Sequence, residues 1–200
     1  MRISHLILVA AGVGWCVHSD SSLADEPSVV AGRSIDDYTL ELSNPNRVVR
    51  LRAVKSLGAF GESAGEALCT ALESDDKAVQ YTAAVHLGRI AGKPLQAAKK
   101  RLESITTDKD SLAAAVAASF ALCRAGESEK HLPLMIEALK YPERGMVCCT
   151  AELIGMLGPT AVAAIEPLEQ AYQKHRPGAK GGDYHIGGAA LNALRKIKGE

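Results

Sequence analysis

Aromatic residues are scarce in this 200-residue chain: two Phe, one Trp and five Tyr. A core without large rings must be built from small aliphatic side chains, and hydrophobic residues make up 47% of the sequence. That combination points to helices that approach one another closely. Net charge is absent too, with 23 basic residues against 23 acidic ones. Nucleic acid is held by many Lys and Arg that neutralise its phosphates, so it is not expected as the main ligand. Catalytic signatures are missing as well. No Ser lies in a nucleophile elbow, and there is no GKS or GKT phosphate loop and no zincin motif. The glycine pairs at 181–182 and 187–188 follow no strand, which excludes a dinucleotide fingerprint. No CxxC pair marks a zinc site. The sequence therefore predicts a non-catalytic protein with no cofactor and no metal.

Residues 1–24 read as a secretory signal peptide. Arg2 supplies a positive start, Ile3 to Val17 is mostly apolar, and Ser22-Leu23-Ala24 places small residues before a cleavable bond at Asp25. Trp15 is too bulky to precede a lipidated Cys16. The apolar run is short for a membrane span, and none follows it. The expected address is therefore the periplasm or the exterior. Residues 25–33 have no periodic face and read as a linker.

What the chain does have is internal repetition. Val49, Ala53, Leu57 and Gly58 return as Val79, Ala83, Leu87 and Gly88, then as Ala114, Ala118, Leu122 and Cys123. They return again as Met146, Thr150, Ile154 and Gly155. Each of these first helices (A) is followed by a second (B). The B helices carry Ala64, Ala67, Leu68 and Leu72; then Leu95, Ala98, Leu102 and Ile105; then Leu132, Leu134, Ile136 and Leu139 behind a capping Ser128; and last the span 160–173. A leading helix opens at Ser34 with Ile35, Tyr38 and Leu42. A final helix, 184–198, carries Ile186, Ala190, Leu194 and Ile197. Helix pairs recurring at 30 to 40 residues bury their stripes only by stacking on neighbours. Residues 34–198 are thus expected to form an all-α, right-handed solenoid of antiparallel helix pairs.

The run Val49-Arg50-Leu51-Arg52-Ala53-Val54 with Leu57-Gly58 and Phe60-Gly61 resembles the HEAT repeat, in the short form named after phycobilisome lyases. The resemblance implies a binding scaffold whose B helices line the concave, partner-binding surface. It also implies a ladder of Asp in the inter-repeat turn against Arg early in helix A. Asp75, Asp76 and Arg50 fit that ladder, but Gln80, Ala115 and Val147 replace Arg50 later, so it is expected to be mostly missing. Two enzyme branches share the repeat. The deoxyhypusine hydroxylase branch needs His-Glu pairs, and this chain has no His-Glu dipeptide. Nothing beyond the repeat supports a bilin lyase.

Candidate contact residues follow from this. Gln96, Lys100, Glu137, Lys140 and Gln170 project from B helices, and their mixed signs suit a protein or peptide partner. The last repeat carries an insertion with Lys174, His175, Arg176, Lys180, Asp183 and His185. It reads either as a contact region, with a small ligand or a metal on His175, Asp183 and His185 as the alternative, or as a solvated loop. His86 reads as a half-buried structural residue and His131 as a surface one. Cys69, Cys123, Cys148 and Cys149 read as packing residues, with a bridge from Cys123 to Cys148 or Cys149 as the alternative.

Overall fold

A computed structural model describes residues 26–200, and the expected signal segment 1–24 lies outside the described residues. Ten α-helices follow one another without a strand among the described residues. The leading helix α1 (Ile35–Glu41) begins as expected at Ser34. There Ser34 Oγ accepts from the Asp37 amide at 3.2 Å while Asp37 caps the Ser34 amide at 2.9 Å. Four helix pairs come next: α2 (Arg47–Leu57) with α3 (Gly65–Ala71), α4 (Lys77–Ile90) with α5 (Gly92–Thr106), α6 (Leu112–Arg124) with α7 (Ser128–Ala138), and α8 (Arg144–Leu157) with α9 (Ile165–His175). Helix α10 (Tyr184–Lys198) closes the stack. The chain is the α-solenoid that the repeats predict.

The recurring glycine has a steric reason. A Cβ on Gly88 would lie 2.6 Å from a ring carbon of Phe120 on the next A helix. A Cβ on Gly155 would lie 2.9 Å from the Ala193 backbone, and one on Gly58 would enter the His86 ring. The marker is thus the point where consecutive A helices touch. Helix α6 takes this furthest. All ten residues from Ala114 to Cys123 are buried, because its small side chains let α4 and α8 close in on both flanks. A helix apolar on every side belongs inside.

The expected core shifts in two places, on α2 and on α7. Val49 is only half-buried, and Val54 joins Ala53 and Leu57 in the core. In α7, Leu132 and Leu139 are buried as expected, but Met135 and Ala138 take the places assigned to Leu134 and Ile136. Ser128 does not cap α7. Glu127 stands at the cap, and the Ser128 hydroxyl turns back to the Cys123 carbonyl at 3.4 Å, helping close the end of α6. Between α8 and α9, Gly158 at φ +60 turns the chain, so the apolar run Arg144–His175 folds as two helices joined by a 3-10 segment, Gly158–Ala164.

The polar ladder is present, contrary to expectation, because it runs mainly from the first residue of each A helix. Arg47 reaches Asp76 at 2.9 Å, Lys77 pairs with Asp108, and Arg144 lies 3.6 Å from Asp183. Leu112 breaks the series at α6. Arg50 supports the first rung at 3.1 Å from Asp76. The expected linker is also engaged. Glu26 accepts from the Ser63 amide at 2.8 Å, and the Tyr38 hydroxyl donates to the Val30 carbonyl at 2.9 Å.

Candidate functional site

Adjacent A helices pack directly on one another from α2 through α10. In the B layer, α3 and α5 are the pair in broad backbone contact, while α5 and α7 are linked by Lys99–Glu127 and by Lys130–Glu103 at 2.7 Å. The A layer is the more closely packed of the two. A cleft of about 620 Å³ opens there and crosses four repeats, with Leu51 on α2, Tyr81 on α4, Val116 on α6 and Met146 on α8 in its lining. The cleft thus lies on the A helices, not on the B helices that the resemblance implies as the binding surface.

Helix α6 is the recessed floor, since its Ala and Val side chains are shorter than those flanking them. Tyr81 leans across it, and its hydroxyl approaches the Cys149 thiol of α8. Burial, with Cys149 and Glu152 adding to it, pushes the phenol up to about 12, so it is a neutral hydrogen-bonding group at physiological pH. Thr150 also lines the cleft. It is fully buried, and its hydroxyl has no hydrogen-bond partner among the described residues. Polar groups gather at the ends: Arg47, Lys55 and Lys77 on the side of α2 and α4, and Glu143 at the start of α8. The Lys77 ammonium holds Asp108 below the usual carboxylate range. Asp76 also lies below it, because hydrogen bonds from Arg47, Ala78 and Arg50 outweigh its burial.

The predicted contact residues are divided among separate places. Lys140, Gln170, Lys174 and His175 share a smaller hollow of about 370 Å³ between α7 and α9. Glu137 is paired with Lys140 at 2.7 Å, and Gln170 donates to Glu166 at 3.2 Å. Gln96 and Lys100 stand exposed on α5, and Arg176 and Lys180 are exposed on the loop. His175, Asp183 and His185 are not brought together as ligands. His175 Nδ1 accepts from the Asp183 amide at 3.0 Å, Asp183 caps α10 at the His185 amide, and the His185 ring lies against Tyr184 with centroids 4.0 Å apart. The insertion is a built turn.

His131 is buried, contrary to expectation, and lies with Glu103 and Glu127 so that their ligand atoms fall within 4.8 Å of one another. Lys99 holds Glu127 below the normal carboxylate range, and burial lowers His131 despite Glu127. With Lys99 and Lys130 on the two carboxylates, this cluster is an ion-pair bridge between α5 and α7 rather than an open ligand set. His86 is half-buried over Gly58, as predicted, and burial lowers its pKa. Cys69, Cys123, Cys148 and Cys149 are all free thiols. Burial pushes Cys123 up to about 11.

The cleft residues were missed by a search for charged and ligating side chains. A signal was nevertheless present: Leu51, Tyr81 and Val116 each stand two residues after the first apolar member of the repeat, at Val49, Val79 and Ala114.

Residues 35–121 match the family model for HEAT repeats. No curated protein matches the chain. Among solved structures, the crystal structure of an engineered protein is similar over 82% of this chain and 79% of its own, with 20% sequence identity and a TM-score of 0.46.

Proposed function

Because residues 35–121 carry HEAT repeats, a fold that commonly serves protein interaction, we propose that this protein is a non-catalytic scaffold binding a protein or peptide in the A-layer cleft. The observation that carries the reading is the cleft itself, which is mostly apolar and crosses α2, α4, α6 and α8. Apolar grooves with a few placed polar groups suit peptide and side-chain binding. The leader at residues 1–24 supports an exported protein acting outside the cytoplasm. A small-ligand or metal role in the 174–185 loop has less support, since His175 and Asp183 are engaged in holding that loop.

A photo-crosslinking side chain at Thr82, on the cleft wall, tests this against one at Lys100, on the outer face of α5. The processed protein in its native envelope fraction should crosslink one protein from position 82 and none from position 100. Crosslinking from position 100 alone would reject the cleft.

A further inference from the structure

Resting on the scaffold reading, we propose the chemistry of the occupant: an acidic–apolar segment of the partner, laid across the helices with its carboxylates on the α2 side. The apolar part follows from the floor and walls. Val116 closes the floor at 1% exposed, and Leu51, Tyr81 and Met146, which are half-buried, offer the apolar surface to whatever enters. The Thr150 hydroxyl, buried without a partner, supplies one unmet hydrogen bond at the α8 side. An unsatisfied buried hydroxyl is costly, and an entering polar atom or a water held beneath the ligand relieves it.

Charge sets the polarity. On the α2 side, Arg47 and Arg50 share the single carboxylate of Asp76, and Lys55 is exposed with no ion pair among the described residues. That side keeps a positive surplus. On the α8 side, Glu143 lines the cleft and is exposed without an ion pair among the described residues, and Arg144 is directed to Asp183. Glu143 does not cap its own helix with its side chain. The cleft is thus positive at one end and negative at the other, and a carboxylate is attracted to Lys55 and repelled near Glu143. Three inter-helix steps of about 8–10 Å give a span of roughly 25–30 Å. An extended segment covers that in about eight residues.

The test is selection of a random dodecapeptide library, displayed on phage, against the processed protein and two variants. One variant is Leu51→Ser with Met146→Ser; the other is Lys55→Glu. Circular dichroism confirms that both stay helical. Enriched peptides should combine Asp or Glu with Leu, Ile or Phe. They should bind at least ten-fold more weakly to the double variant, and several-fold more weakly to Lys55→Glu. Peptides rich in Lys or Arg that still depend on Leu51 and Met146 would keep the cleft as the interface and overturn the acidic occupant. Peptides indifferent to Leu51 and Met146, or no enrichment, would overturn both. Self-association lost in the double variant would make a second copy the occupant and overturn the peptide.

Discussion

Arg50 and Gln80 do the same work one repeat apart. Arg50 Nη1 donates to the Asn44 carbonyl at 2.9 Å, and Gln80 Nε2 donates to the Ser74 carbonyl at 2.7 Å, in each case six residues back. Each side chain thereby ties its A helix to the turn that precedes it. Gln80 is almost fully buried, so its loss leaves that carbonyl without this donor. Gln80→Ala should cost about 1–3 kcal/mol. Chemical denaturation of the two proteins measures this, and a change under about half a kcal/mol would place the carbonyl in contact with water.

The glycine marker predicts a contrast between two positions. Gly155→Ala drives a methyl group against the Ala193 backbone. Backbone yields less readily than a side chain, so the cost should be about 1–3 kcal/mol. Gly188, in the interior of α10, has nothing within 4 Å of a built Cβ. Gly188→Ala should be neutral or stabilising by up to about 1 kcal/mol. Thermal melting of both variants reads the difference, and equal destabilisation would contradict the packing described.

The ladder predicts a response to acid. Asp76 and Asp108 are both depressed below the ordinary value of 3.8. A carboxylate lowered in the folded state gives stability that is present above its unfolded pKa and lost as pH falls through the folded one. Wild type should therefore lose denaturation free energy below about pH 4. Asp76→Asn should be less stable at pH 7 and should show a shallower acid decline. A decline of the same slope in both would remove Asp76 from the acid response.

Thiol accessibility follows from position on α6 and α8. Cys149 is exposed at the cleft, whereas Cys123 is buried with its pKa raised to about 11. A thiol-reactive dye at pH 8 should label Cys149 first and Cys123 only on unfolding. Early labelling of Cys123 would mean that α6 is not the enclosed helix.

Much of this architecture was legible in the sequence. The Val-Ala-Leu-Gly register located the A helices, and Leu95, Ala98, Leu102 and Ile105 are all buried on α5 as their spacing predicts. Side-chain periodicity reports which face of a helix is buried, and that is local information. Which layer of the solenoid is more tightly spaced depends on the sizes of residues in helices far apart in sequence. The alanines of α6 and the contacts at Gly88 and Gly155 draw the A helices together, and no single helix shows this by itself. The ladder was missed because the fixed point taken was Arg50, while the rungs start mainly from Arg47, Lys77 and Arg144. The insertion at 174–185 left a ligand set open as an alternative because His and Asp serve equally well as turn and cap residues. Its composition alone does not separate the two uses.

Amide hydrogen exchange of the protein with and without the partner that crosslinks from position 82 tests the central claim most directly. Occupation of the A-layer cleft predicts added protection in the first two turns of α4, α6 and α8, around Tyr81, Val116 and Met146. Protection centred instead on Lys100, Lys140 and Gln170 would place the partner on the B helices and contradict the account.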